Sequence, residues 1–572
     1  YDFLVDTNDK RYMSRNNPSN IRTEYPFILY IFFVIIYLGI QMFQGFSHLD
    51  IGFYMSGYQH FNEEPYVSYF LGQWLLSFQL TSFLCDLFSI NSYLGLRVLH
   101  LVFVVLSQTV IYLYLKQYIN RRIIIFGLLL ATFAHFGSYT EINYNDYSVG
   151  LLTFAVMAYH HGFANNSAKA ILLSGLFVGT AFFFRIVNIT FIGIPFLAWL
   201  VSYKYTSRLK TSHQFAAFFA GTAIACAVVT IILYATGMLE VFTMNLQDIF
   251  TRGHDPQDPH GVKTIIICLY GLYKGQIQSF SVIALLIFLI AVSYFNLHGI
   301  KRNIMTAVMA LLIIPNIYLW ESPSNITVGI CLSASAFLFI KPESESKTAS
   351  LYLLSLFIPV VFPVGSNAGA DFYGKDMCFM TLPAALGIIY EGIGKLKAEY
   401  RKATYPAMRI GYVFICIAMI YTNIHRPMME ESARTECRYT INSPLTKHIY
   451  TSKENADINN YIIQKVKPLV PDNSYMICDF SIPVISLLDC KPFAVYSTVF
   501  TSDMMNRRYI DVAYRYSGQL PYLLTDTENR NEKDRFVEEC LSQIKPYRTI
   551  WTDGRFTLKA PAVRTHINHT KH

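Results

Sequence analysis

Charge is scarce in this 572-residue sequence: Asp, Glu, Lys and Arg make up 15% of it, against about 25% in soluble globular chains. That shortage excludes the several-domain soluble protein that the length alone would predict at roughly 150 residues per domain. The hydrophobic share of 53% excludes disorder, and 30 glycines exclude a collagen-like repeat. Also missing are a Gly-rich phosphate loop, a nucleophile elbow and any Cys/His spacing of a structural zinc site. No basic stripe with interleaved aromatics accompanies the net charge of +8, so nucleic acid is not an expected partner.

The shortage is uneven. Residues 427–572 hold 19 Lys/Arg and 17 Asp/Glu, a soluble-like density, whereas residues 1–426 hold only 48 charges. The sequence therefore predicts a cytoplasmic N-terminal segment (1–25), a long membrane part (26–426) and one outer α/β domain (427–572). It begins at Tyr1 and shows no cleavable signal, because its first apolar stretch is of spanning length. With about 20 apolar residues per span, thirteen helices are expected: 26–46, 92–115, 123–139, 148–163, 170–184, 187–203, 213–236, 278–296, 304–319, 324–340, 348–363, 377–393 and 409–425. The stretch 66–89 is apolar enough to be another. Leaving it out puts 20 Lys/Arg on one side and only Arg252, Lys263, Lys274 and Lys375 on the other. The positive-inside rule thus assigns 66–89 to helices lying in the outer interface. The C-terminal region then lies outside the membrane.

Thirteen of the 21 acids in the membrane part fall in outer loops. Asp50, just past the first helix in LDIGFYMSGYQHF, is a candidate general base; the plainer reading is a solvated loop acid. TEINYNDYS (140–148) packs Glu141, Asn143, Asn145 and Asp146 with Tyr144 and Tyr147, a mixture that grips sugar hydroxyls and stacks on sugar faces, or an Asn/Asp-rich turn. Arg185 in GTAFFFRIVNIT stands alone between apolar runs. Its planar fork suits phosphate, with Asn188 close by, or it snorkels at the interface. A later outer loop carries Arg252, His254, His260 and Lys263, then Lys274, all suited to a lipid phosphate. VGSNAGADFYGKDM (364–377) offers Asn367, or is a flexible loop. In the outer domain a capping box at Thr451–Glu454 opens a helix, 528–544 forms another, and strands are expected at 474–479, 493–497, 521–525 and 547–551, in a partly parallel sheet. Of its cysteines, Cys478 and Cys490 are the nearest pair for a disulfide, with free buried thiols as the alternative.

Taken together, these motifs resemble the GT-C glycosyltransferases that use polyprenyl-phosphate sugars, of the protein O-mannosyltransferase and lipid A aminoarabinose transferase types. LDIGFYMSGYQHF is similar to the family's Asp-x-x-x-Tyr signature, through Asp50 and Tyr54. EINYNDYS matches its second acidic loop, and GTAFFFR its basic stretch, with Arg185. Ile51 stands where a second acid is frequent, and Glu63-Glu64-Pro65 lacks the family's Lys. The resemblance implies a GT-C fold of about 13 transmembrane helices with a small outer α/β domain. It implies transfer of a sugar, with inversion of the anomeric centre, from a polyprenyl-phosphate (undecaprenyl phosphate in bacteria) to a glycan, lipid or protein acceptor at the periplasmic face of a bacterial inner membrane. Asp50, Asp146 and Glu141 are its implied catalytic acids. Arg185, Lys274 and Arg252 are the implied phosphate ligands, and Tyr54, Asn143, Tyr144, Asn188, His254 and Asn367 the implied sugar or acceptor contacts. Some relatives bind a divalent metal (Mg, Mn or Zn), for which Glu63, His254 and His260 are the matching residues. Two rivals remain: a glycan ligase or polymerase using a diphosphate-linked donor, and a flippase or transporter of lipid-linked glycans.

Overall fold

The computed structural model describes residues 21–47, 50–63, 65–135, 141–202, 210–253, 347–362, 378–394, 398–425, 432–493, 503–530 and 532–562, with scattered residues between 327 and 338. The membrane part is helical. α1 (Ile21–Gln41) leads into α2 (Asp50–His60), α3 (Pro65–Phe70) and α4 (Leu75–Phe88); α5 (Tyr93–Leu115), α6 (Arg121–His135), α7 (Tyr144–Asn165) and α8 (Ala168–Phe184) follow. A 3-10 run (Ile186–Gly193) continues into α9 (Ile194–Ser202), then α10 (Thr211–Ala235) and α11 (Leu239–Gly253). Beyond these come α12 (Lys347–Ser355), α13 (Phe357–Val361), α14 (Cys378–Gly394) and α15 (Ala398–His425). The predicted spans 278–296 and 304–319 lie outside the described residues, and 324–340 does so in large part.

Three described helices, 24–41, 93–115 and 211–235, are long and apolar enough to cross a bilayer. Their outer faces stay apolar where no protein covers them: Phe32, Leu106 and Ile231 are each at least 60% exposed. Apolar surface of that extent is stable only against lipid. The fold is a polytopic helical membrane bundle. α8 and α10 cross at glycines, and a Cβ on Gly175 would lie 2.0 Å from the Phe218 carbonyl oxygen; small residues allow such close backbone approach where lipid removes the hydrophobic incentive. At one end of the bundle Glu24 receives a hydrogen bond from Tyr112 and pairs with Lys116 and Arg121, residues of the expected cytoplasmic loops. The stretch 66–89 is broken at Leu71–Trp74 into helices too short to span.

The C-terminal unit carries a five-stranded sheet, order β4-β3-β5-β7-β6. β3 is Tyr475–Cys478, β4 Lys491–Pro492, β5 Tyr522–Asp526, β6 Tyr547–Thr552 and β7 Phe556–Pro561, after a small ribbon of β1 (Tyr439–Thr440) and β2 (Tyr450–Thr451). β4, β3 and β5 run parallel, while β7 is antiparallel to both β5 and β6. Helices α16 (Lys453–Val466), α17 (Pro483–Leu487), α18 (Asp503–Ser517) and α19 (Glu532–Ile544) complete it. The predicted strand 493–497 falls almost wholly outside the described residues, and β7 was not anticipated. Ser452, not Thr451, caps α16, its side chain accepting from the Asn455 N–H. The Cys478–Cys490 disulfide does not form; both are free buried thiols. The register explains it. Lys491 sits opposite Tyr475, so Cys490 lies about 13 Å along the strands from Cys478 at 3.3 Å per residue, beyond the roughly 7 Å a disulfide bridges.

The chain between α1 and α2 is gripped from two sides. Arg97 of α5 donates from Nη1 to the Met42 and Gln44 carbonyls and from Nη2 to that of Gly45. Its Nε meets Glu141 Oε1 at 2.7 Å, both side chains at most 2% exposed. From the C-terminal unit, Tyr450 donates its N–H to Phe43 O and accepts from Gly45 N, and Asn455 Nδ2 donates to Phe46 O. Next, α2 packs on α17: Ser56 and Ser486 hydroxyls lie 2.9 Å apart, and a Cβ on Gly52 would fall 2.2 Å from Pro483 N. Removing one member of a buried pair strands a charge and costs about 3–5 kcal/mol. Arg97→Met is expected to lose about that much stability, with Arg97→Met/Glu141→Leu recovering most of it; thermal unfolding of the detergent-solubilised proteins measures both.

Candidate functional site

Asp50 is the first residue of α2, where the helix N-terminus favours a carboxylate. Burial works the other way and pushes its carboxyl up to about 6. One turn on, at i+4, Tyr54 lies on the same helix face. The Tyr54 ring is fully buried and meets Tyr144 at 6.0 Å between centroids, and Tyr144 is in turn stacked on Trp74 at 4.9 Å. Tyr144 is also where Arg185 arrives.

α8 ends at Phe184 because Arg185 leaves the helical region, at φ −159° and ψ 116°. The following 3-10 turns are fixed by Asn188, whose Nδ2 donates to Ser148 Oγ and the Ala181 carbonyl, both at 2.9 Å. Arg185, 5% exposed, donates from Nη1 to Phe362 O and lies over the rings of Phe362 at 4.3 Å and Tyr144 at 5.9 Å. A guanidinium on aromatic faces in a dry setting keeps an intact charge, and its planar fork matches phosphate oxygens. The structure thus gathers α2, the turn at Trp74, the start of α7 and the end of α8 at one end of the bundle, bringing Tyr54, Tyr144 and Arg185 together, with Asp50 on the Tyr54 face.

The acidic loop behaves differently from its sequence expectation. α7 starts at Tyr144, four residues before the predicted helix, because Asn143 and Asp146 form its capping box. Asn143 Oδ1 accepts from the Asn145 N–H, and Asp146 Oδ2 accepts from the Asn143 N–H at 2.9 Å. Asp146 Oδ2 also lies 3.1 Å from His100 Nδ1. Glu141, 1% exposed, is committed to Arg97. Glu141, Asn143 and Asn188 therefore hold backbone and neighbours, and the aromatic Tyr144 is the loop residue that faces the Tyr54–Arg185 cluster.

Glu63 is 62% exposed and lies 3.2 Å from His60 Nδ1. Arg252 lies in α11. His254, His260, Lys274 and Asn367 lie outside the described residues. Sequence reasoning missed Arg97, His100 and His135. Each is an ionisable residue within an apolar helical stretch, which is itself the signal. It missed Asp248 as well: buried on α11, Asp248 receives Tyr69 OH and pairs with Arg508 of the C-terminal unit at 2.7 Å.

Residues 71–234 match the family described as dolichyl-phosphate-mannose-protein mannosyltransferase. No curated protein matches the chain. Among solved structures, it is similar to the archaeal oligosaccharyltransferase AglB from Archaeoglobus fulgidus in complex with an inhibitory peptide and a dolichol-phosphate, at 12% identity and a TM-score of 0.45, covering 95% of this chain and 75% of that one. It is also similar to ArnT from Cupriavidus metallidurans bound to undecaprenyl phosphate, at 10% identity and a TM-score of 0.38, covering 95% of this chain and 99% of that one. The family match contains Trp74, Arg97, Glu141, Asp146 and Arg185, and Asp50 lies ahead of it. The family match thus covers the stretch from Leu71 to Tyr234 of the membrane part, and an activity for the chain follows from it only as a proposal.

Proposed function

We propose that the protein transfers a sugar from a polyprenyl-phosphate carrier to an acceptor at the outer face of a bacterial inner membrane, with residues 427–572 as a periplasmic domain. The observation that carries this is the meeting of Arg185 with Tyr144, Tyr54 and Trp74 beside Asp50. The acceptor hydroxyl or amine gives its proton to Asp50 as it bonds to the anomeric carbon. The bond from that carbon to the phosphate oxygen breaks with inversion, and the lipid phosphate leaves with the electron pair. Arg185 meets the growing charge on that phosphate, and Arg252 and Lys274 are the further cations proposed to meet it. Tyr144 and Trp74, both partly exposed, offer flat faces to the sugar ring, with the buried Tyr54 ring packed behind Tyr144. Asp146 and Glu141 act through the residues they hold.

A carboxyl raised to about 6 by burial is a stronger base than an exposed one and is ionised at neutral pH. A base works only when ionised, so the rate is expected to rise as pH increases through about 6 and to level off above it. Asp50→Asn is expected to lose roughly 10²- to 10⁴-fold in turnover, the usual worth of a general base, and to lose the rising limb of the pH profile. The measurement is release of free lipid phosphate from a polyprenyl-phosphate monosaccharide by the purified protein. An Asp50→Asn protein with the wild-type rate and profile would refute the assignment. A wild type that ignores this donor but uses a diphosphate-linked glycan would make it a ligase.

Arg185→Gln is expected to slow phosphate release by roughly 10²-fold, as for other lost stabilisers of developing charge, with Arg185→Lys recovering part. Unchanged turnover in Arg185→Gln would remove Arg185 from the phosphate site.

A further inference from the structure

Beneath the start of α7, two imidazoles and a carboxylate from three different helices face one another. His100 comes from α5, His135 is the last residue of α6, and Asp146 lies in the first turn of α7. All three are buried, at 3%, 5% and 7% exposure. His100 Nε2 and His135 Nε2 are 3.3 Å apart, and His100 Nδ1 is 3.1 Å from Asp146 Oδ2. One donor atom from each lies within 4.8 Å of the others. The imidazole rings are nearly parallel, at 17°.

Ionisable groups are costly at this depth unless they are used. Nitrogen ligands on a tetrahedral zinc at 2.0–2.1 Å sit about 3.4 Å from each other, close to the observed separation of the two Nε2 atoms. A second observation points to a ligand at the same place. His135, Asp146 and Asn145 line one cavity, together with apolar residues that include Phe103, Val104 and Phe379. The Asn145 side chain is buried at 3% exposure, and among the described residues neither its oxygen nor its nitrogen makes a hydrogen bond. An amide in a cavity with both atoms unmatched is expected to meet a guest.

We propose that His100 and His135 bind one divalent transition-metal ion of the zinc class through their Nε2 atoms, with the remaining coordination positions open to the cavity beside Asn145. A pair of imidazoles favours such an ion over magnesium or calcium, which prefer all-oxygen shells. Asp146 Oδ2, held by the backbone N–H of Asn143, faces Nδ1 of His100 and orients that ring as outer partners of metal ligands do. The ion ties α5 to α6 directly, and to α7 through Asp146, just below Tyr144. The transferase reading is not needed for this site.

The test uses the full chain in detergent, with any tag removed, stripped by chelator, loaded with Zn²⁺ and dialysed. Elemental analysis of wild type and Asp50→Asn should give close to one zinc per chain, and zinc should raise the melting temperature of both. His100→Gln and His135→Gln should retain less than a tenth of that zinc and show no melting shift. Should these variants fold poorly, Co²⁺ replaces zinc: His135→Cys should bind it and show a thiolate-to-cobalt charge-transfer band absent from wild type. Wild type that retains no zinc overturns the proposal. So do both glutamine variants holding wild-type zinc, or a His135→Cys protein with bound cobalt but no thiolate band.

Discussion

The Arg97–Glu141 ion pair is the constraint on which the Asp50 end of the bundle depends. A guanidinium inside a membrane helix is tolerable only if its charge is balanced and its donors are used. Glu141 balances it, and the carbonyls after α1 use the remaining donors. One buried pair thus joins the segment after α1, α5 and the loop before α7. Asp50 follows the first of these, Tyr144 the last. The relative placement of the proposed base and the aromatic platform is thus set by a charge pair between α5 and the loop before α7.

The same economy recurs around it. Asp146 starts a helix and orients a histidine with one carboxylate oxygen. Asn188 turns the chain after Arg185 and ties it to α7 through Ser148. Asp248 joins α11 to Tyr69 and to Arg508 of the C-terminal unit. Each buried polar group satisfies backbone or partner demands that would otherwise go unmet in an apolar setting, and in doing so fixes a segment near the Tyr54–Arg185 cluster.

Much of this was legible in the sequence, for physical reasons. Long apolar runs bounded by basic loops matched most of the long described helices of the membrane part to within about five residues, but α15, expected from 409, begins at Ala398, α2 and α11 were not among the expected helices, and the interrupted run 66–89 forms short helices. The sheet of the C-terminal unit was legible where β-rich runs were bounded by turns. Pairing across distance was not. Nothing local links Arg97 to Glu141, His100 to His135 or Asp248 to Arg508, since each pair is made by packing of separate helices. The same blindness produced the Cys478–Cys490 expectation: nearness in sequence does not reveal a parallel register that sets the two apart. The motif EINYNDYS was read for its chemistry, while its Asn and Asp are largely occupied in starting a helix. Arg185 and Asp50 could be singled out because a lone charge beside an apolar run is conspicuous without knowing its neighbours.

The docking of α2 and the preceding strand-like segment on the C-terminal unit has a consequence for biosynthesis. Phe46 is held by Asn455 and Ser56 by Ser486, contacts separated by 409 and 430 residues. The ribosome therefore completes the whole membrane bundle before the residues that clasp the segment after α1 exist. Throughout synthesis that segment has only the α5 side of its grip, and contacts so distant in sequence form last. A chain interrupted near its end would carry every residue of the proposed chemistry and still lack half of what holds Asp50 in register, so competence arrives with the final stretch of polypeptide rather than growing with length.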